Sequence, residues 1–182
     1  MGKFYKRSDV VSFFGESTSA SYYDRMTGFT ELTPSSNATT YDRQYVDEVS
    51  ERSETVGYAP EVSYNFDRET GNSIHTYIAD ATDDEVIGKT CAIVTVDFNQ
   101  AVQGQANTYV ARRRIWSINP DSQADSTDAY TYSGSFKSNG VLEKGTAVAT
   151  FGTAGDTSTV SKVTFSAGSS PSPSPEPSTS PN

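Results

Sequence analysis

Residues that carry chemistry are scarce in this sequence. There is one cysteine, Cys91, and one histidine, His75. A lone cysteine excludes an intramolecular disulfide, and a lone histidine removes most zinc sites and the Ser-His-Asp arrangement. Nucleophile motifs of the Gly-x-Ser-x-Gly type, phosphate loops and Cys-x-x-Cys pairs are missing as well. The chain therefore reads as a non-enzyme, with no catalytic, cofactor-binding or metal-binding set, and His75 reads as a surface or packing residue. No apolar run approaches the roughly 20 residues that a membrane helix needs. The start Met1-Gly2-Lys3-Phe4-Tyr5-Lys6-Arg7 leads into polar Ser8-Asp9, not into a signal-peptide core. Synthesis in a cytoplasm, without membrane binding by the subunit, is the expectation. Positive charge is also short, with 14 Lys and Arg against 23 Asp and Glu and a formal charge of -9. Such a surface lacks the clustered cations that displace counterions from phosphate, which argues against nucleic-acid binding.

Only Pro34, Pro60 and Pro120 precede residue 171, after which prolines alternate with serine. The run Gly168-Ser-Ser-Pro-Ser-Pro-Ser-Pro-Glu-Pro-Ser-Thr-Ser-Pro-Asn182 has no apolar residue to offset the entropy of ordering. One folded domain over 1–167 and a disordered Ser/Pro-rich tail over 168–182 are predicted. With 182 residues, one domain is the default. Hydrophobic residues make up only 34%, but 11 Tyr and 9 Phe supply large burial payloads, so the core should be rich in aromatics.

What is present is mostly β patterning. Val56, Tyr58, Pro60, Val62, Tyr64 and Phe66 alternate with Thr55, Gly57, Ala59, Glu61, Ser63 and Asn65. That period of two predicts a half-buried strand, with Pro60 at an edge or bulge. Tyr130, Tyr132 and Phe136 alternate likewise, and β-branched residues dominate 91–102 and 107–118. Weaker strands are predicted at 9–14, 22–33, 39–49, 146–151 and 160–165. One segment changes period: Ile74, Tyr77, Ile78 and Ala81 fall at helical spacing behind Asn72 or Ser73 as cap. Together these predict a mainly β fold, an antiparallel β-sandwich or partly closed barrel with one flanking α-helix. Such a sheet must manage its edges, and pairing with a neighbouring subunit is one way.

Four polar clusters merit a reading. Arg112-Arg113-Arg114 is the only dense basic patch. On a strand its side chains divide between two faces, which predicts one guanidinium paired to a carboxylate and a solvent-facing pair, with inter-subunit salt bridges as the functional alternative. The 121–128 loop and Asp83-Asp84-Glu85 lack calcium-loop spacing and an apolar environment, and read as solvated turns. Tyrosines and charges interleave in Tyr41, Arg43, Tyr45, Asp47, Glu48 and Arg52. A hairpin arm of this composition is either an ordinary exposed hairpin or a protein-contact surface, since Tyr and Arg concentrate at interfaces.

Several segments, in order, carry a family likeness: Lys6-Arg7-Ser8-Asp9-Val10-Val11-Ser12-Phe13-Phe14-Gly15, Arg25-Met26-Thr27-Gly28-Phe29-Thr30-Glu31-Leu32, Tyr41-Asp42-Arg43-Gln44-Tyr45-Val46-Asp47-Glu48, Val56-Gly57-Tyr58-Ala59-Pro60, Ile118-Asn119-Pro120-Asp121-Ser122 and Asp128-Ala129-Tyr130-Thr131-Tyr132-Ser133-Gly134. In these the chain resembles the major tail, or tail tube, proteins of long-tailed, non-contractile bacteriophages of Gram-positive hosts. The resemblance implies a virion structural protein that self-assembles into hexameric rings, stacked into a hollow tail tube through which DNA is ejected. It further implies tape measure, tail terminator and distal tail proteins as partners, and DNA passing through the lumen without specific binding. Loops and an N-terminal arm bridge successive rings in that family, which makes the 41–54 hairpin and the segment before Asp9 candidates for stacking contacts. A monomeric carbohydrate- or receptor-binding β-sandwich, displaying its aromatics as a platform, is the alternative.

Overall fold

The computed structural model describes residues 4–125, 128–153 and 155–168. The 168–182 tail predicted from sequence therefore lies, apart from Gly168, outside the described residues, as do Met1 to Lys3.

Strands run in the order β1 (Val10–Gly15), β2 (Tyr23–Arg25), β3 (Phe29–Ser35), β4 (Ala38–Arg43), β5 (Arg52–Tyr58) and β6 (Glu61–Asp67). After the helix α1 (Ser73–Asp83) come β7 (Thr90–Ala101), β8 (Thr108–Asp125), β9 (Tyr130–Ser138), β10 (Glu143–Phe151) and β11 (Val160–Ala167). All pairings are antiparallel. In the nine-stranded sheet β10, β11, β2, β1, β7 and β8 follow one another, and β8 then pairs back onto β10. Those six strands close a barrel. From β8 the sheet continues through β9 and β6 to β3, its free edge. The fold is thus the mainly β, partly closed barrel with one flanking helix that the patterning predicts.

The length of β8 makes this possible. Its first half, from Thr108 to Arg113, pairs with β10, and its second half, from Trp116 to Asp125, pairs with β9. Alternation along β7 then feeds two cores. Ala92, Val94 and Val96 point into the barrel with Phe13, Tyr23, Ala111, Ala147, Ala149, Val160 and Val163. Cys91 and Ile93 point outward, into a second core with Phe14, Tyr64, Phe66, Trp116, Tyr132 and Phe136, on which α1 lays Ile74, Ile78 and Ala81. Small residues fill the narrow barrel, while aromatics fill the wider space under the helix. The Asn72 side chain accepts from the backbone N–H of Ile74 and His75 and so starts the helix as the sequence predicts.

Four predicted strands need correction. The 39–49 strand ends at Arg43, and residues 44–51 are the loop that leads to Arg52. The 55–66 run is two strands, β5 and β6, parted at Ala59-Pro60, and Val56 and Tyr58 are exposed instead of half-buried. The 22–33 run is likewise β2 and β3, interrupted before Phe29 where Gly28 adopts φ +76°. The 107–118 strand extends to Asp125, crossing Pro120 by a shift of register between Pro120 and Ser122. Residues 121–125 are accordingly strand and not turn, and Ser126-Thr127 lie outside the described residues.

Candidate assembly interface

Strands β4 and β5 pair only with each other, as a separate two-stranded sheet. They prolong the β3–β6 hairpin: Ser35 faces Glu61, Asn37 accepts from the Ala59 N–H at 3.1 Å, and Ala38 faces Tyr58. Every residue of β4 and all of β5 except Gly57 are exposed. The result is an arm over 38–58 that no other strand among the described residues supports. A lone two-stranded hairpin is marginally stable in water, so an arm of this kind draws stability from whatever covers it.

The predicted residues meet on this arm. Arg43 donates to the Tyr41 hydroxyl from Nη2 at 2.6 Å and Nε at 3.1 Å, and to the Tyr45 hydroxyl from Nη1 at 3.2 Å. Its guanidinium carbon lies 5.0 Å from the Tyr41 ring centre and 5.5 Å from that of Tyr45, while Arg52 covers Tyr45 at 5.7 Å and pairs with Glu48. The hydrogen bonds that Arg43 donates to the two tyrosines push its pKa up, and a guanidinium stays charged at any ordinary pH. Asp47 sits exposed in the loop 44–51 that closes the hairpin, between Val46 and Val49, both of which are fully exposed. This is a surface of aromatic rings, methyls and fixed charges, fitted to protein contact.

The arginine triplet divides across β8 as strand geometry requires. Arg113, on the barrel side, closes one end of the barrel: it donates to Glu143 at 2.6 Å and to the Tyr23 hydroxyl and the Thr18 carbonyl, both at 3.0 Å, and stacks on Phe165 at 4.7 Å. Its charge is satisfied within its own chain. Arg112 is exposed on the opposite face. Arg114, on that same face, is not the solvent-facing member expected: it is half-buried, lies 5.6 Å over Trp116, and its Nε is buried without a hydrogen-bond partner.

Arg114 lines a groove that sequence reasoning missed. It has a volume of about 1120 Å³ and runs between the 5–12 segment, the base of the β3–β6 hairpin and the outer face of β7 and β8. No single stretch of sequence signals it, because its walls come from segments far apart in the chain. The Asp83-Asp84-Glu85 corner also needs correction, since Asp83 is not merely solvated. It accepts from the Tyr132 hydroxyl at 3.0 Å and from Arg68 at 3.2 Å and ties the end of α1 to β9. His75 is a packing residue: fully buried, it stacks on Phe66 at 4.4 Å and meets Phe29 edge-on.

No family model matches the chain, and no curated protein matches it. Among solved structures, a chain of the six-fold symmetrised cryo-EM structure of the anti-feeding prophage baseplate is 8% identical, with 79% of this chain and 97% of that chain covered and a TM-score of 0.44. That level of likeness does not establish a shared fold.

Proposed function

We propose that this chain is a virion structural protein without enzymatic activity, which assembles with copies of itself into stacked hexameric rings forming a phage tail tube. The observation that carries the reading is the 38–58 arm, exposed on both strands and armed with Tyr41, Arg43 and Tyr45. The ordered likeness of the sequence to tail tube proteins supplies the kind of assembly. Since the six-stranded barrel of the single chain is packed with Phe13, Val94, Val96 and Val163, a channel for DNA can only be built between copies. The acidic balance of -9 suits a lumen that repels phosphate. Tape measure, terminator and distal tail proteins would be its neighbours in the virion.

Negative-stain electron microscopy of the purified protein, with light scattering over a range of concentrations, tests this. Rings or hollow tubes that grow with concentration are expected. A particle that stays monomeric at every concentration and binds glycans would overturn the reading in favour of a binding module.

A further inference from the structure

We infer that the groove beside Arg114 is the acceptor for the arm tip of a second copy of this chain, residues 44–51 entering between the 5–12 segment and the outer face of β8. This rests on the self-assembly proposed above and identifies the surface that the arm meets.

Charge selects the occupant. Among the described residues the groove is lined by Lys6, Arg7 and Arg114, and by Arg25, whose guanidinium is turned to the carbonyls of Thr157, Ser158 and Val160, with Glu61 as its one carboxylate. The arm from 44 to 54 has the opposite balance, carrying Asp47, Glu48, Glu51 and Glu54 against Arg52. The same lining includes apolar Met26, Leu32, Ile93 and Trp116, and the tip presents the fully exposed Val46 and Val49 beside its acids. Apolar side chains next to carboxylates match a groove whose lining combines apolar side chains with cations. Arg114 adds a specific attraction. The side chain is only half-buried on this wall, and a guanidinium drawn partly out of water is favoured by a carboxylate brought alongside it.

The same chain cannot fill its own groove. Tyr58, Pro60 and Ser36 line it at the root of the arm, whereas the tip lies beyond the six paired residues of β4, about 20 Å farther out at 3.3 Å per residue. Folding back would break the β4–β5 ladder. An arm that fits a groove elsewhere on the molecule makes a heterologous contact, which repeats from copy to copy and either closes a ring or extends a stack.

The test mixes two full-length variants, Val46→Cys and Leu142→Cys, under mild oxidation. Cys91 is buried and does not interfere. A disulfide-linked heterodimer in the assembled fraction is expected, since Leu142 lines the groove. In parallel, Arg114→Glu should raise the concentration needed for assembly by at least about tenfold, and Asp47→Lys with Glu48→Lys should restore it. Persistent protection of Cys91 from thiol reagents shows that each variant is folded. Should Arg114→Glu not fold, the Asp47→Lys/Glu48→Lys tip variant alone decides, because the tip lies outside both cores, and loss of assembly is again expected. If the wild type assembles, the variants assemble equally well and no heterodimer forms, the acceptor is elsewhere and the assembly reading stands. If the wild type never assembles, both fall.

Discussion

At the scale of single residues, the structure holds two positions whose roles are set by atoms and not by residue class. His75 accepts the Glu69 N–H at Nδ1, 3.2 Å away, and its Nε2 lies 3.0 Å from the Thr27 carbonyl. The imidazole is therefore neutral, with Nε2–H as donor. Burial against Phe66 lowers its pKa, against smaller opposing effects of the Thr27 carbonyl, Glu69 and Asp67. A folded pKa below the unfolded value means that this stability is complete above the ordinary histidine range and is lost as pH falls through the folded pKa. Urea midpoints should accordingly fall between about pH 7.5 and pH 5.5, and His75→Gln should flatten that slope. An unchanged slope in the variant would show that another group titrates. Gly145 is constrained by space: a Cβ there would stand 2.1 Å from the Ser166 carbonyl oxygen and 2.9 Å from the Phe165 ring. Gly145→Ala forces β10 away from β11 and should cost about 1–3 kcal/mol, read as a shift in denaturation midpoint.

At the scale of elements, the arm and the body answer to different forces. Replacing Tyr41, Arg43 and Tyr45 together by Ser removes the stacked cluster but touches neither core. Thermal stability of the body should change by less than about 0.5 kcal/mol, while assembly is lost; a large fall in stability would mean that the arm packs on its own chain. The elements also show what could be read in advance. The helix was legible because its apolar spacing and its Asn72 cap are both local. The arm was legible as tyrosines interleaved with charges. What escaped was the division of the 55–66 run, because alternation of side chains continues through Ala59-Pro60 even though the backbone leaves one ladder for another. Nor does periodicity say what covers a face. Val56 and Tyr58 alternate as faithfully as Tyr64 and Phe66, yet only the latter pair lies beneath other elements. The groove was illegible for the same reason, since Arg114 lies over Trp116 through strand geometry and shares the groove with Leu32 and Met26, far away in the sequence, only through the fold of the sheet.

At the scale of the whole molecule, the two cores share strands and therefore a fate. On β7, Ile93 belongs to the core beneath the helix and Val94 to the barrel, and on β8 Ala111 and Trp116 divide in the same way. Neither core can lose its strands without stripping a wall from the other, so unfolding should be a single cooperative transition. Trp116, the only tryptophan, reports on the helix-side core. Val163 lies on β11 in the barrel core, which Trp116 does not join. Val163→Ala removes methyls from the barrel and should cost about 2 kcal/mol. If the cores are coupled through β7 and β8, Trp116 fluorescence and far-ultraviolet circular dichroism will both move to the same lower denaturant midpoint. If the cores are independent, the fluorescence transition will stay where it is in the wild type while only the circular dichroism shifts. The coupled outcome also bears on assembly, because a body that unfolds as one unit can transmit load from an arm rooted at β3 and β6 through β9 and β8 to the barrel without a weak seam between them.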